Sequence, residues 1–348
     1  MECDIIFFTF QYSLFTFFSY ICAVKGIQTH IYMRAEKLPT VEDSNFFHSR
    51  QLFSICSDTP RMKPYMVVCT DEEGRVLCQL LAIVRYRTTF LPPFMFIQCR
   101  VLGDGVYAES AYRKDELFGE MIMALTQKLN KKVLYIEFSD LSQKMFGYKQ
   151  FRQNNYFPVH WMSIHNSLHS HIPEERITPR MQHMIDKAYE RGVITKEVKT
   201  TEEFEAFNKL LRKHHLLKPK RFIPKEEFFK GIVESGHGRL FITRHKHHTI
   251  GCSACAYSGR NAYLWYAAYR RKSFAFLHPD VLTIWHAIKD AHQRGFDHIY
   301  FLDVGLPFRR NPYRDFILRF GGKPVSTFRW FRCSIKWINA LLSWIYRD

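Results

Sequence analysis

The chain has 348 residues, 47% of them apolar and 16% aromatic, which is material for two domains of ordinary size and excludes a disordered polymer. Its net charge is +17, and the excess is local: residues 205–248 hold eleven Lys/Arg against four Glu, and residues 301–348 hold nine against three acids. Such an imbalance fits a partner rich in phosphate or carboxylate (a nucleotide cofactor, tRNA, an anionic lipid head group or an acidic sugar peptide), with a basic surface kept for solubility as the alternative.

Ile5 to Val24 is an uncharged run long enough to span a bilayer. Glu2 and Asp4 ahead of it make a poor secretory signal, and Lys25, Arg34 and Lys37 behind it would hold the body on the cytoplasmic side. Residues 1–32 therefore read as either an anchor or a spurious extension, with Met33 as an alternative start. The nine cysteines are odd in number and lie mostly in apolar runs, which fits reduced, buried thiols in a cytoplasmic protein better than a disulfide framework.

From Asn45 an opening helix leads to strands at Tyr65–Thr70 and Val76–Tyr86, joined across Asp71-Glu72-Glu73-Gly74 as a hairpin. A strand to about Val101 follows, then a helix over Arg113–Asn130 with Leu117, Met121, Leu125 and Leu129 at helical spacing. A strand at Val133–Phe138, a helix at Leu141–Phe151 and a strand at Val159–Ile164 complete a first α/β unit. His169 to Pro179 is a polar bridge, and Arg180–Gly192 is a helix stopped by glycine. The order of elements then repeats: helices at Thr201–His214 and Pro224–Glu234, a hairpin of Arg239–Thr243 with Ile250–Ser258, a strand at Ala262–Ala267, a helix at Pro279–Arg294 and a strand at His298–Leu302. Asp303-Val304-Gly305 breaks that strand, a basic and aromatic helix follows, and Gly321-Gly322 releases the chain into a strand at Val325–Arg332. Ile335–Tyr346 is a short amphipathic helix, suited either to a membrane surface or to packing on the body.

This C-terminal order, with an acidic residue and glycine at a strand end and Phe320-Gly321-Gly322 before the last strand, resembles the signature of the FemAB-like branch of the GNAT acyltransferases. That branch includes enzymes that add amino acids to peptidoglycan precursors. The run from Ile177-Thr178-Pro179-Arg180 to Arg191-Gly192-Val193 resembles the Arg-rich helix linking the two halves of that family. The resemblance implies an α/β fold of two tandem GNAT-like units, each with its own mixed sheet. The expected domains are 33–168 and 196–333, with 169–195 as linker and bridging helix and 334–348 as C-terminal helix.

What the resemblance implies for the site is specific. In GNAT enzymes the loop before the helix of the second unit binds the pyrophosphate of acyl-CoA, through amide groups at a helix start that favour an anion. Here it reads Tyr269-Arg270-Arg271-Lys272-Ser273-Phe274-Ala275, with three cations where the family has glycines, so either side chains clamp the phosphates or the loop is a solvated basic turn. Many Fem-type enzymes place Phe-Lys in the helix before Phe-Gly-Gly; this chain has Phe316-Ile317, leaving Arg314 or Arg319 to supply the cation, and it lacks the family's coiled-coil arm. Asp303 is a candidate base for the attacking amine or else a turn cap, and Tyr266, Tyr269 and Tyr313 are candidate proton donors to the leaving group or else packing residues. The expected site gathers Arg270, Arg271, Lys272, Ser273, Arg309 and Arg310 around a phosphate-bearing donor, with Asp303, Tyr313 and Arg314 as the catalytic group. His245, His247 and His248 near Cys252 and Cys255 have the wrong spacing for zinc, and no metal is expected.

The sequence thus reads as an acyltransferase acting near the inner membrane face on an amine of a cell-envelope precursor or small metabolite. Its donor is acyl-CoA or, alternatively, aminoacyl-tRNA; DNA is not an expected partner. The other reading is a catalytically degenerate module that binds an anionic envelope precursor.

Overall fold

A computed structural model describes residues 26–40, 43–88, 95–111, 113–216, 221–308 and 310–347. The apolar run Ile5–Val24 lies outside them. The first half of the chain supplies β1 (Gln28–Tyr32), α1 (Arg50–Asp58), β2 (Met62–Thr70), β3 (Val76–Thr88), β4 (Met95–Leu102), a short β5 (Val106–Tyr107), α2 (Lys114–Leu129), β6 (Tyr135–Ser139), α3 (Tyr148–Gln153) and β7 (Phe157–Ser167). A connecting α4 (Pro179–Glu190) leads to β8 (Val193–Glu197), α5 (Thr201–His215), α6 (Glu226–Glu234), β9 (Gly238–His245), β10 (His248–Ser258), β11 (Asn261–Tyr269), α7 (Pro279–Gln293), β12 (His298–Phe301), α8 (Pro312–Leu318), β13 (Lys323–Cys333) and α9 (Lys336–Ile345).

Local chemistry explains most boundaries. Asp71 Oδ1 accepts the N–H groups of Glu73 and Arg75, which closes the expected hairpin between β2 and β3. Thr200 and Glu203 form a reciprocal cap at the start of α5. At the end of α8, Gly321 has φ +81°, and a Cβ there would meet the Arg176 backbone at 2.8 Å. At Gly322 a Cβ would meet Asn166 Oδ1 at 2.7 Å, so the Gly-Gly pair is what lets the chain pass under the connecting segment and enter β13.

The strands form one sheet in the order β1-β2-β3-β4-β6-β13-β7-β12-β11-β10-β9-β8, not the two separate sheets expected. β4 and β6 pair in parallel, as do β11 and β12. Between these halves the last strand of each is exchanged: β13 pairs antiparallel with β6, and β7 pairs antiparallel with β12. The two exchanged strands also pair with each other from Lys323↔His165 to Phe331↔Phe157. Alternation along β13 shows why it sits there. Phe328 and Trp330 are buried in the core beneath α2 and α3, where Trp330 stacks on Phe151 at 4.5 Å, while Arg329 points to the opposite face.

Alternation also distributes β2 between two cores. Tyr65, Val67 and Cys69 face the core under α2, whereas Met66 and Val68 face a second core shared with α5, α6 and the Trp265 and Tyr266 rings of β11. A third core lies under α4 and α7. The shared core holds Phe46, Phe47, Phe53, Phe207, Phe228 and Phe229, so much of the high aromatic content joins the halves. The expectation that the body opens at Met33 is corrected by β1, which pairs with β2 from Gln28↔Thr70 to Tyr32↔Met66. The thiols of Cys56, Cys69, Cys78, Cys99, Cys252 and Cys255 are buried and unbridged.

Strand exchange makes the halves interdependent. Residues 26–168 and 169–347 produced separately should each fail to give a cooperative melt by circular dichroism, and co-expression should restore one. A stable, monomeric first half would contradict the exchange.

Candidate functional site

β11 and β12 run side by side from Asn261↔His298 to Leu264↔Phe301, after which β11 continues to Tyr269 and β12 stops. The parting strands open a cleft of about 300 Å³ at their carboxyl ends, the usual place for a ligand in a sheet with parallel strands. The end of α5 contributes His214 and His215 to its wall, β11 contributes Ala267 and Tyr269, and α8 contributes Tyr313 and Phe316. The charged groups in the lining are Arg221, Arg271, Asp280 and Asp303.

Asp303 is held by both halves of the molecule. Arg100 from β4 donates to it twice, Nη1 to Oδ2 at 3.1 Å and Nη2 to Oδ1 at 2.8 Å. Arg329 from β13 donates Nη2 to Oδ1 at 2.8 Å and Nη1 to Glu137 Oε1 at 3.0 Å. Arg221 lies 3.6 Å from Oδ2, and Asp140 faces Arg100 at 3.5 Å. Burial alone would raise the Asp303 carboxyl, but Arg100, Arg329 and Arg221 overcome it and hold the group well below the carboxylate range. A carboxylate so held is an anchor for three guanidinium groups and a poor acceptor for a substrate proton. Its positive φ of 60° turns the chain out of the sheet at this point.

Burial raises the Tyr313 hydroxyl, with Arg221 opposing the shift, so the phenol is protonated at neutral pH beside a cation that stabilises its anion. Arg221 donates to the Trp265 carbonyl and lies over the Tyr266 ring at 5.0 Å.

At the start of α7 the structure differs from an amide-lined phosphate site. Asp280, only 6% exposed, sits in the first turn and accepts the N–H of Val281 at 3.1 Å, while Arg271 pairs with its other oxygen at 3.3 Å. The position that an incoming phosphate would take at the helix terminus thus holds the protein's own carboxylate.

The loop before α7, through Arg271, and the first turn of α8, through Pro312 and Tyr313, line one cleft. The other expected cations are placed differently. Arg270 is half-buried, and Lys272, Ser273 and Arg310 are exposed away from the cleft lining. Arg314 turns inward beside Asp315 and is 9% exposed, and Arg309 lies outside the described residues. The residues that the sequence reading passed over are Arg100, Arg221, Arg329 and Asp280. A signal existed for one of them, since Arg100 is a lone charge inside the run of β4 and such a charge needs buried partners, whereas Arg329 shares its strand with Lys323 and Arg332.

A second cleft of about 440 Å³ lies where β4 and β6 part, with Asp104, Asp140, Ser142, Lys144 and His165 of the first half and Tyr300 of the second in its wall. Burial raises the Asp104 carboxyl, which accepts from Ser142. Its lining holds one Lys against two Asp, where the other cleft holds two Arg against two Asp.

Residues 180–310 match the family model described as acetyltransferase (GNAT) domain. Among solved structures, the chain is similar to FemX (TM-score 0.57, 10% identity, 91% of this chain and 100% of that one). It is also similar to L-PGS from Bacillus licheniformis (0.54, 10%, 85% and 92%) and to a tandem GNAT protein from the clavulanic acid biosynthesis pathway (0.52, 10%, 88% and 99%). The second half of the chain thus carries a match to a GNAT acetyltransferase domain, and the chain as a whole has the fold of tandem GNAT proteins. No curated protein matches it. At such identities the tandem GNAT relatives share the architecture, and the contents of the cleft are this chain's own. Among the described residues, no helix is long and apolar enough to cross a membrane.

Replacing Asp303 with Asn should cost about 3–5 kcal/mol in urea denaturation, because Arg100 and Arg329 lose their shared counter-charge. The carboxyl's folded pKa lies below its unfolded value of ~3.9, so its contribution is complete above that pH and fades as pH falls further. The parent should therefore lose stability below about pH 4 more steeply than the Asn variant; identical acid titrations of the two would remove Asp303 from the account.

Proposed function

We infer that this protein transfers an activated acyl or aminoacyl group to an amine, with the reacting bond in the cleft of the second half. The observation that carries the reading is Tyr313, a half-buried phenol that shares the cleft lining with Arg221 at the mouth of parted parallel strands in a GNAT-matched domain. The amine nitrogen bonds to the acyl carbon, and the thioester or ester bond to the donor breaks. Tyr313 gives its proton to the leaving sulfur or oxygen, and the resulting phenolate takes the proton that the new amide sheds. Arg221 steadies the phenolate, and Asp303 holds Arg221 without taking part in proton transfer.

The donor's phosphates meet side chains, chiefly Arg271, since Asp280 fills the helix terminus. Acyl-CoA and aminoacyl-tRNA both satisfy that chemistry, and a cell-envelope precursor or small metabolite supplies the amine. The envelope setting is supported by the likeness to FemX and to L-PGS.

The test is single-turnover transfer from labelled acetyl-CoA and, separately, from a charged tRNA pool, with amine-bearing envelope precursors and diamines as acceptors. Tyr313→Phe should lower the rate constant by roughly 10²-fold or more while donor affinity stays close to the parent's. Equal rates for parent and variant with a productive donor would remove Tyr313 from the chemistry. Asp280→Asn should tighten binding of CoA by freeing the α7 terminus, by about 0.3–1 kcal/mol in calorimetry; weaker binding would show that Asp280 serves the donor instead of excluding it.

A further inference from the structure

α9 is mounted with its apolar side outward. Asn339 clamps it to the body, accepting the Cys333 N–H at 2.7 Å and donating to the Asn155 carbonyl at 3.0 Å. Tyr346, just beyond its end, stacks on Phe157. The opposite stripe carries Trp337, Leu341, Trp344 and Ile345, at the spacing of one helix face. Trp337 is 70% exposed and Trp344 67%. Leaving two indoles in water has no folding rationale, and contiguous apolar surface of this kind marks an interaction site.

Between this helix and the body lies a cleft of about 590 Å³ whose charges are of one sign: Lys131, Arg152, Arg332 and Lys336, with no carboxylate in the lining among the described residues. Arg332 Nη1 and Ser334 Oγ are buried there without a hydrogen-bond partner among the described residues. Two unused donors in a cationic hollow ask for an anion with several oxygen acceptors. Tryptophans flanking a basic pocket are the composition of a bilayer interface, where indoles sit at head-group depth and cations meet lipid phosphates.

We propose that α9 and this basic pocket dock the protein on an anionic phospholipid surface, with Trp337 and Trp344 inserted and a lipid phosphate held by Arg332 and Ser334. Strand directions give the docking a consequence. β12 pairs antiparallel with β7, β7 pairs antiparallel with β13, and β11 is parallel to β12, so β11, β12 and β13 all run the same way. α9 follows the carboxyl end of β13, and the candidate active cleft lies at the carboxyl ends of β11 and β12. The end of β12 is level with Pro324 at the start of β13, so α9 lies further along in the direction in which that cleft opens, and a docked protein turns the cleft toward the membrane side and toward acceptors carried on it. The docking stands on exposure and charge alone and is measured without turnover, so it can fail or hold independently of the transferase reading.

The test uses the full chain and vesicles of phosphatidylcholine, with and without phosphatidylglycerol, followed by co-sedimentation and tryptophan emission. The parent should bind the mixed vesicles with a blue-shifted emission and bind neutral vesicles poorly. Trp337→Ser with Trp344→Ser, and separately Lys131→Gln with Lys336→Gln, should each weaken binding to mixed vesicles by about tenfold. Their thermal melts should match the parent's, since all four side chains are at the surface. Removing residues 1–24 should leave the effect of both pairs intact. Unchanged binding in both pairs, binding that depends only on residues 1–24, or a pocket pair that loses affinity for tRNA and none for vesicles would each overturn the proposal.

Discussion

The buried contact between Asp303 and the guanidinium groups of Arg100 and Arg329 ties the molecule together, because its members come from a turn of the second half, a strand of the first half and the strand that crosses between them. Charges removed from water are tolerated only in company, and here each supplies what the others lack. The contact also fixes the register of β13. A slip of one residue would turn Phe328 and Trp330 away from the core and press Arg329 into it. Glu137 and the Trp161 ring, 3.9 Å from the Arg329 guanidinium, close the remaining sides.

That arrangement divides labour in the cleft. The acid nearest the parted strands maintains structure, and positive charge is presented by arginines that are themselves held in place. Asp280 has a similar effect on α7: it occupies the helix terminus and holds Arg271 beside it, so a side chain and not the backbone amides faces the cleft there.

Much of this was legible in the sequence. The hairpin around Asp71–Gly74, the helix of Leu117, Met121 and Leu125, and the Gly321-Gly322 release all follow from local rules, and the repeated order of elements implied duplication. Strand partners were not legible, because alternation tells which face a residue takes and not which neighbour its strand finds. Nothing in Val325–Arg332 says that it belongs beside β6. The positions of Arg270, Lys272, Arg310 and Arg314 were equally closed to view, since the direction of a loop side chain depends on turns that composition leaves open. The outward face of α9 reverses the ordinary expectation that a short apolar helix buries its tryptophans, and only the clamp made by Asn339 reveals it.

The exchanged strands also set a timetable. When the ribosome has delivered everything through β12, the slot between β6 and β7 is still empty, and both of those strands present unpaired edges. Pairing across the middle of the sheet waits for β13, which lies far down the chain from β6 and joins it through contacts of very long sequence separation. The nascent protein therefore passes through a long interval with two open edges and an unfinished aromatic core, the condition under which chains pair with each other instead of themselves. A fold that gains its rigidity from a shared centre is, for the same reason, the last to become safe from aggregation during its own synthesis.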